Sequence, residues 1–210
     1  MLAQPDLYAL GAAGWQIFDL PAALEEESEL ERFLALWSPG RIELQTLVVE
    51  PERALLASSG RAMSLHTDNT YLDRPCRYVG LYCIEPGVGG RSLLLDGLDA
   101  IAGMHAADRE RLGQRAWYWR HGRTRSVSGP HRVIDTSGEV RWWRTNLCVY
   151  DEAFLATAER LEQHLLRSPR IVSLVLERGQ LLLIDNKRML HGRTQVTSNE
   201  RTMVRIRIWT

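Results

Sequence analysis

Lysine is almost missing from this chain. Of its 26 basic residues only Lys187 is a lysine, and the rest are arginine. That bias fits a GC-rich genome and says nothing of activity. An excess of one charge is missing too. The 26 basic and 26 acidic residues give a formal net charge of +0, so no global field draws the chain to nucleic acid or to a membrane surface. Cysteine is scarce: Cys76, Cys83 and Cys148 show no C-x-x-C spacing, and an odd number cannot complete a disulfide framework. Reduced, buried thiols in a cytoplasmic protein are expected. No apolar run approaches the ~20 residues of a membrane helix. The opening "MLAQPDLYALGAAG" carries Asp6 and no basic segment, so no signal peptide is expected. Repeats and low-complexity linkers are absent as well. What remains, 45% hydrophobic and 25% charged residues, is an ordinary globular composition. The length suits a single compact domain over residues 1–210 with a sizeable core.

The octet "SLHTDNTY" (64–71) places His66 and Asp68 two positions apart in a stretch that reads as strand. Side chains at i and i+2 share a face, so the imidazole and the carboxylate converge. If that face is interior, both need a partner. A metal ion is one; a plain His–Asp hydrogen bond or a solvated edge strand is the competing reading of the octet alone.

Residues 22–36 read as a helix, with acidic first turns, a solvated acidic run at Glu25–Glu27, and Leu30, Phe33, Leu34 and Trp37 at helical spacing. Strands are expected at 41–50, 78–86, 91–97, 171–176, 180–186 and 202–209, with glycines 87, 89 and 90 making a turn. Residues 98–114 read as one helix. Residues 151–168 read as another, capped by Asp151 and ended by Pro169. Short strands joined by glycine turns, with helices at the ends and in one insertion, predict an α+β, mainly β protein: a jelly roll with flanking helices.

A second ligand candidate, His191, follows the strand "LLLIDN", 123 residues beyond Asp68. His66, Asp68 and His191 form a two-histidine, one-carboxylate set. Such a set binds one face of iron(II) and leaves the other open, although zinc hydrolases use the same ligand types. His105, His121, His131 and His164 have no comparable neighbours and read as surface or structural histidines. Arginine separates the two chemistries. Arg201, Arg205 and Arg207 share one strand face, and on an inner face they need anions, which a guanidinium fork binds in bidentate fashion. A metal beside a carboxylate-binding arginine suits a 2-oxo-dicarboxylic acid. In the central segment, "RAWYWRHGRTR" (115–125) and "RWWR" (141–144) interleave aromatics with arginine. That pattern can line a pocket for an anionic or planar ligand, and about half of its tryptophans are expected to be core.

These blocks resemble the Fe(II)/2-oxoglutarate-dependent oxygenases of the taurine dioxygenase (TauD/TfdA), clavaminate synthase-like superfamily. "HTDNTYLDRP" resembles the proximal H-x-D segment. "LYCIEPGVGGRSLLLDG" resembles the segment after it, notably in the γ-butyrobetaine hydroxylase branch. "LLLIDNKRMLHGRT" resembles the distal-histidine segment, and "ERTMVR" the R-x-x-x-R that follows. The resemblance implies a double-stranded β-helix, a distorted jelly roll. It implies His66, Asp68 and His191 as iron ligands and as the catalytic centre. Arg201, helped by Ser92, would bind the distal carboxylate of 2-oxoglutarate, and Arg205 would bind an anionic group of the substrate. Arg207 gets no role and is expected near the surface. The implied reaction uses Fe(II), 2-oxoglutarate and O2 to hydroxylate a small amino-acid-like or carboxylated metabolite, free or on a carrier protein, releasing succinate and CO2. Relatives use the same chemistry for desaturation or ring closure. A non-catalytic metal-binding jelly roll or a zinc hydrolase is the rival class. The retained Asp68 argues against halogenation, and "EPERALLASSGRAM" lacks the aromatics of a quaternary-ammonium cage. Small N-terminal elaborations and a small lid are expected from the length. Neither a nucleic-acid nor a membrane partner is expected, and self-association is left open.

Overall fold

The computed structural model describes residues 7–20, 27–36, 40–49 and 58–210. Along the chain run α1 (Leu7–Ala13), β1 (Trp15–Asp19), α2 (Glu27–Ala35), β2 (Ile42–Val48), β3 (Met63–His66), β4 (Tyr78–Glu85) and β5 (Ser92–Asp96). They continue with α3 (Gly97–Ala102), α4 (Ala106–Leu112), β6 (Trp117–Arg120), β7 (Val127–His131) and α5 (Glu152–Leu166). The last four are β8 (Val172–Leu174), β9 (Gln180–Asp185), β10 (Met189–Arg193) and β11 (Thr202–Ile208). Two antiparallel sheets hold the site. One has the order β1-β9-β4-β11-β2, the other β3-β10-β5-β8, and β6-β7 form a separate hairpin. This is the expected jelly roll with flanking helices.

The alternation of β11 explains the layering. Val204, Ile206 and Ile208 bury outward against Leu10 of α1 and Leu30 and Leu34 of α2. Met203 packs the other way, with Leu94 of β5 and Leu182 and Ile184 of β9, in the core between the sheets. Arg205 and Arg207 share the Met203 face, so the strand period carries them inward. A third cluster joins the central segment to α5 through Trp117, Trp119, Trp142, Leu161 and Leu165.

Several boundaries differ from the sequence reading. The helix expected over 98–114 is two helices. Gly103 caps α3 and His105, in extended conformation, starts α4. A Cβ at Gly103 would lie 3.2 Å from His164 Nε2, so the break falls where α5 comes close. Strand β3 ends at His66, and Asp68 lies in the turn beyond it, ahead of Asn69 at φ 59°. The first two ligand candidates therefore do not share a strand. Strand β8 is shorter than 171–176. Asp151 caps α5 as expected, accepting the N–H groups of Ala153 and Phe154. The start of the helix expected at 22, the acidic run Glu25–Glu27 up to its last residue, Trp37, and most of "EPERALLASSGRAM" lie outside the described residues. Among the described residues, no helix is long and apolar enough to cross a membrane, and Cys76, Cys83 and Cys148 are buried free thiols.

Candidate metal centre and its cleft

His66 ends β3, and His191 sits in mid-β10 as its direct register partner. That pairing brings residues from distant parts of the chain ring to ring, with centroids 4.5 Å apart. The β10–β3 approach is close because residue 192 is glycine: a Cβ there would lie 2.7 Å from the Met63 carbonyl oxygen. Asp68 comes in from the turn after β3. Its Oδ1 lies 3.5 Å from His66 Nε2 and 3.7 Å from His191 Nε2. One ligand atom from each of the three residues falls within 4.8 Å of the others, and all three residues are buried.

The surroundings set the chemical state of the triad. His66 Nδ1 donates to the Ser64 carbonyl at 2.8 Å, and its Nε2 faces Asp68. Burial, and then the neighbouring His66, push His191 below the ordinary imidazole value, so it is neutral. Burial alone would raise the Asp68 carboxyl; Arg205, the two imidazoles and Arg207 outweigh it and hold it well below the usual carboxylate range. Two imidazole nitrogens and an ionised carboxylate oxygen, converging and buried, fit a divalent first-row metal.

The triad opens on a cleft of about 610 Å3, counted out to its solvent mouth. Ser92, Arg201 and Arg205 line it, together with Leu81 and Met203. All six residues singled out from the sequence thus meet in one place. Arg201 is 5% exposed. Its Nη1 donates to the Pro86 carbonyl at 3.2 Å, while its Nε is buried without a hydrogen-bond partner. The glycine turn before β5 makes room for it: a Cβ at Gly90, where φ is 62°, would lie 2.9 Å from Arg201 Nη1. Arg205 donates to Gln45 and lies 3.8 Å from Asp68 Oδ2. Burial pulls both guanidinium groups below their ordinary values.

Other residues at the site escaped the sequence reading. Arg207 is not exposed: its Nε donates to Asp68 Oδ2 at 2.7 Å and its Nη1 to Glu43 at 2.9 Å. The shared strand face was the signal that could have found it. Asn186 accepts the Asp68 N–H at 2.7 Å and donates to the carbonyls of Asp68 and Cys76; nothing in "LLLIDN" announces this. Arg193, two residues past His191, lines the same cleft and donates to the carbonyls of Ser59 and Arg61. Of the four central tryptophans, Trp117, Trp119 and Trp142 are fully buried core, more than the expected half. Trp143 packs its ring on His66 at 4.8 Å. The other histidines stay out of the cluster, His105 capping α4 and His121 accepting the N–H groups of Arg123 and Thr124.

A family model described as "Taurine catabolism dioxygenase TauD, TfdA family" matches residues 26–207. Among curated proteins, mitochondrial trimethyllysine dioxygenase of Gallus gallus is 30% identical over 159 residues, covering 65% of this chain and 38% of that protein. Glutarate 2-hydroxylase of Pseudomonas putida (strain KT2440) is 32% identical over 150 residues, covering 67% of this chain and 45% of that protein. The chain thus spans less than half the length of these relatives. Among solved structures, an asparagine oxygenase superposes with a TM-score of 0.82 at 14% identity, covering 98% of this chain and 77% of that one. The non-heme iron oxygenase OrfP, in complex with Fe, succinate and (3S)-hydroxy-L-Arg, gives 0.71 at 14% identity, covering 97% and 79%. At such identities the likeness concerns the fold.

Proposed function

The chain belongs to the TauD/TfdA dioxygenase family, and from that premise we propose that it is an Fe(II)- and 2-oxoglutarate-dependent oxygenase acting on a small amino-acid-like or carboxylated metabolite. The observation that carries this reading is the buried His66–Asp68–His191 triad opening on a cleft that also holds Ser92, Arg201 and Arg205. Iron with 2-oxoglutarate supplies the oxidising power when bound: O2 gives one oxygen atom to a substrate C–H bond and one to succinate, with loss of CO2.

The residues divide the remaining work. His66, Asp68 and His191 hold the iron and leave the rest of its coordination sphere to ligands from solution. Arg201 takes the distal carboxylate of 2-oxoglutarate, using a buried guanidinium fork suited to a planar anion, with the Ser92 hydroxyl beside it. Leu81 and Met203 keep water from the chain of the cosubstrate. Arg205, next to the metal ligands, orients an anionic group of the substrate. The names of the curated relatives, a glutarate hydroxylase and a trimethyllysine dioxygenase, both denote carboxylate-bearing small molecules, which agrees with an arginine in that role.

The test combines binding and turnover. Anaerobic protein with Fe(II) and 2-oxoglutarate is expected to develop a weak visible charge-transfer band. With O2, a panel of dicarboxylates, amino acids and carrier-bound acyl groups is then screened by mass spectrometry. A gain of one oxygen atom, matched by succinate, is the expected outcome. A loss of two hydrogens in its place identifies desaturation or ring closure. No band, together with zinc-supported hydrolysis, overturns the oxygenase reading in favour of a zinc hydrolase.

A further inference from the structure

Asp68 divides its carboxylate between two jobs. Oδ1 faces the Nε2 atoms of both histidines. Oδ2 accepts Arg207 Nε at 2.7 Å. Arg207 is anchored in turn. It is the register partner of Glu43 on β2, and its Nη1 donates to Glu43 Oε1 at 2.9 Å. Its side chain is 13% exposed against 40% for Glu43, so the relay runs from the rim of the sheet to the buried triad. The Asp68 backbone is fixed separately, by Asn186 at its N–H and at its carbonyl.

A carboxylate can offer a metal one oxygen or two. Charge-assisted hydrogen bonds are about twice as strong as neutral ones, so the Arg207 bond holds Oδ2 while Oδ1 faces the imidazoles. Arg205 is a poor substitute: it lies 3.8 Å from Oδ2 and donates to Gln45. We propose that Arg207 is a positioning residue that keeps Asp68 a one-oxygen metal ligand, so that a chelating 2-oxo acid has room at the same metal. This rests on the metal-site reading above and adds to it a residue outside the ligand set and outside the cleft lining.

Cobalt(II) is the probe, because its visible bands report coordination without oxygen chemistry. The wild-type protein is compared with Arg207→Met, Arg207→Lys, Glu43→Gln and His66→Ala. Measured for each are Co(II) affinity, the visible Co(II) spectrum before and after 2-oxoglutarate, and metal-free thermal unfolding. Arg207→Met is expected to weaken Co(II) binding roughly 10–100-fold, the usual cost of losing a partner of a metal ligand. Its spectrum is expected to differ from wild type and to respond less to 2-oxoglutarate. Arg207→Lys, keeping the charge and one donor, falls between the two. Glu43→Gln shifts the spectrum in the same direction by less. Wild-type spectra, affinity and 2-oxoglutarate response in Arg207→Met overturn the proposal, whatever its thermal stability. If Arg207→Met does not fold, the same wild-type behaviour in Arg207→Lys and Glu43→Gln overturns it. If His66→Ala binds Co(II) as tightly as wild type, the metal site itself is wrong, a failure distinct from that of Arg207.

Discussion

Arg205 lies on β11 and Arg201 four positions earlier, just ahead of that strand, and chemistry alone lets either meet a carboxylate. Their partners differ. Both keep a buried Nε without a hydrogen-bond partner, but Arg201 is hydrogen-bonded to a neutral carbonyl, whereas Arg205 donates to Gln45 and sits beside the anionic Asp68. A carboxylate at Arg201 therefore completes a buried pair, and breaking such a pair costs roughly 3–5 kcal/mol. At about 1.4 kcal/mol per tenfold this is at least a hundredfold. Arg201→Ala is expected to weaken 2-oxoglutarate binding by that much, read from the anaerobic charge-transfer titration, with metal affinity retained. Arg205→Ala is expected to leave the titration nearly unchanged and to raise the KM for substrate or uncouple succinate formation from hydroxylation. The reverse pattern would exchange the two roles. Strand period is local, and it puts Arg205 and Arg207 on one face of β11, while Arg201 stands ahead of the strand, beyond a register shift at Thr202 and Met203. Depth is not local, and so the sequence assigns no role to Arg207, which is bonded to Asp68. Asn186 was invisible for a related reason: its partners, Asp68 and Cys76, are more than a hundred residues away in sequence.

Elements were legible where their signals are local. The cap at Asp151, the glycine turn at 87–90 and the strands β4, β5, β8, β9 and β11 follow from neighbouring residues, whereas β6 and β7 were not expected. The split between α3 and α4 falls at Gly103, the C-cap of α3, a local signal that the reading of one helix over 98–114 passes over. Two predictions belong to this scale. Gly192→Ala puts a Cβ 2.7 Å from the Met63 carbonyl and 3.2 Å from Ser64 backbone atoms. Backbone must move, at an overpacking cost of roughly 1–3 kcal/mol, and β10 separates from β3 beside His191. Lower thermal stability and weaker metal binding are expected together, whereas Gly122→Ala, which meets nothing within 4 Å, changes neither. The second concerns the seam between α4 and α5. Asp108 accepts Thr157 Oγ1 at 3.0 Å and two Arg160 nitrogens at 2.6 and 2.9 Å. The hydrogen bond from Arg160 leads the causes that hold its carboxyl below the ordinary value. The stabilisation is therefore complete above the unfolded carboxylate pKa, about 3.9, and is lost as pH falls through the lowered folded value. Asp108→Asn is expected to destabilise the protein at pH 7, by roughly 1–3 kcal/mol in chemical denaturation. The difference from wild type should narrow below about pH 4. A constant difference down to pH 3 would show that the pair contributes nothing through its charge.

At the scale of the molecule, the balanced net charge conceals a local imbalance. Charge counts carry no positions, so composition could not reveal that arginines gather round one buried carboxylate. The order of the motif blocks was readable, whereas the order of strands was not, since β3 pairs with β10 and β1 with β9 across most of the chain. The imbalance has a consequence for stability. Burial lowers the pKa of Arg201, and its hydrogen bond is to a neutral carbonyl, so the ligand-free fold carries a cation that is poorly compensated. A buried cation without a paired anion carries an uncompensated desolvation cost. Arg201→Leu is accordingly expected to leave the ligand-free Tm unchanged or raised. Wild-type protein with Fe(II), under anaerobic conditions and with 2-oxoglutarate at a hundred times its Kd, gains about 2.7 kcal/mol by linkage. For a chain of this size that is a rise in Tm of about 5–10 °C. At the same concentrations Arg201→Leu should show little of that rise. A variant whose ligand-free Tm falls by several degrees, while the 2-oxoglutarate shift persists, would mean that Arg201 is built into the fold and that the carboxylate is held by another group.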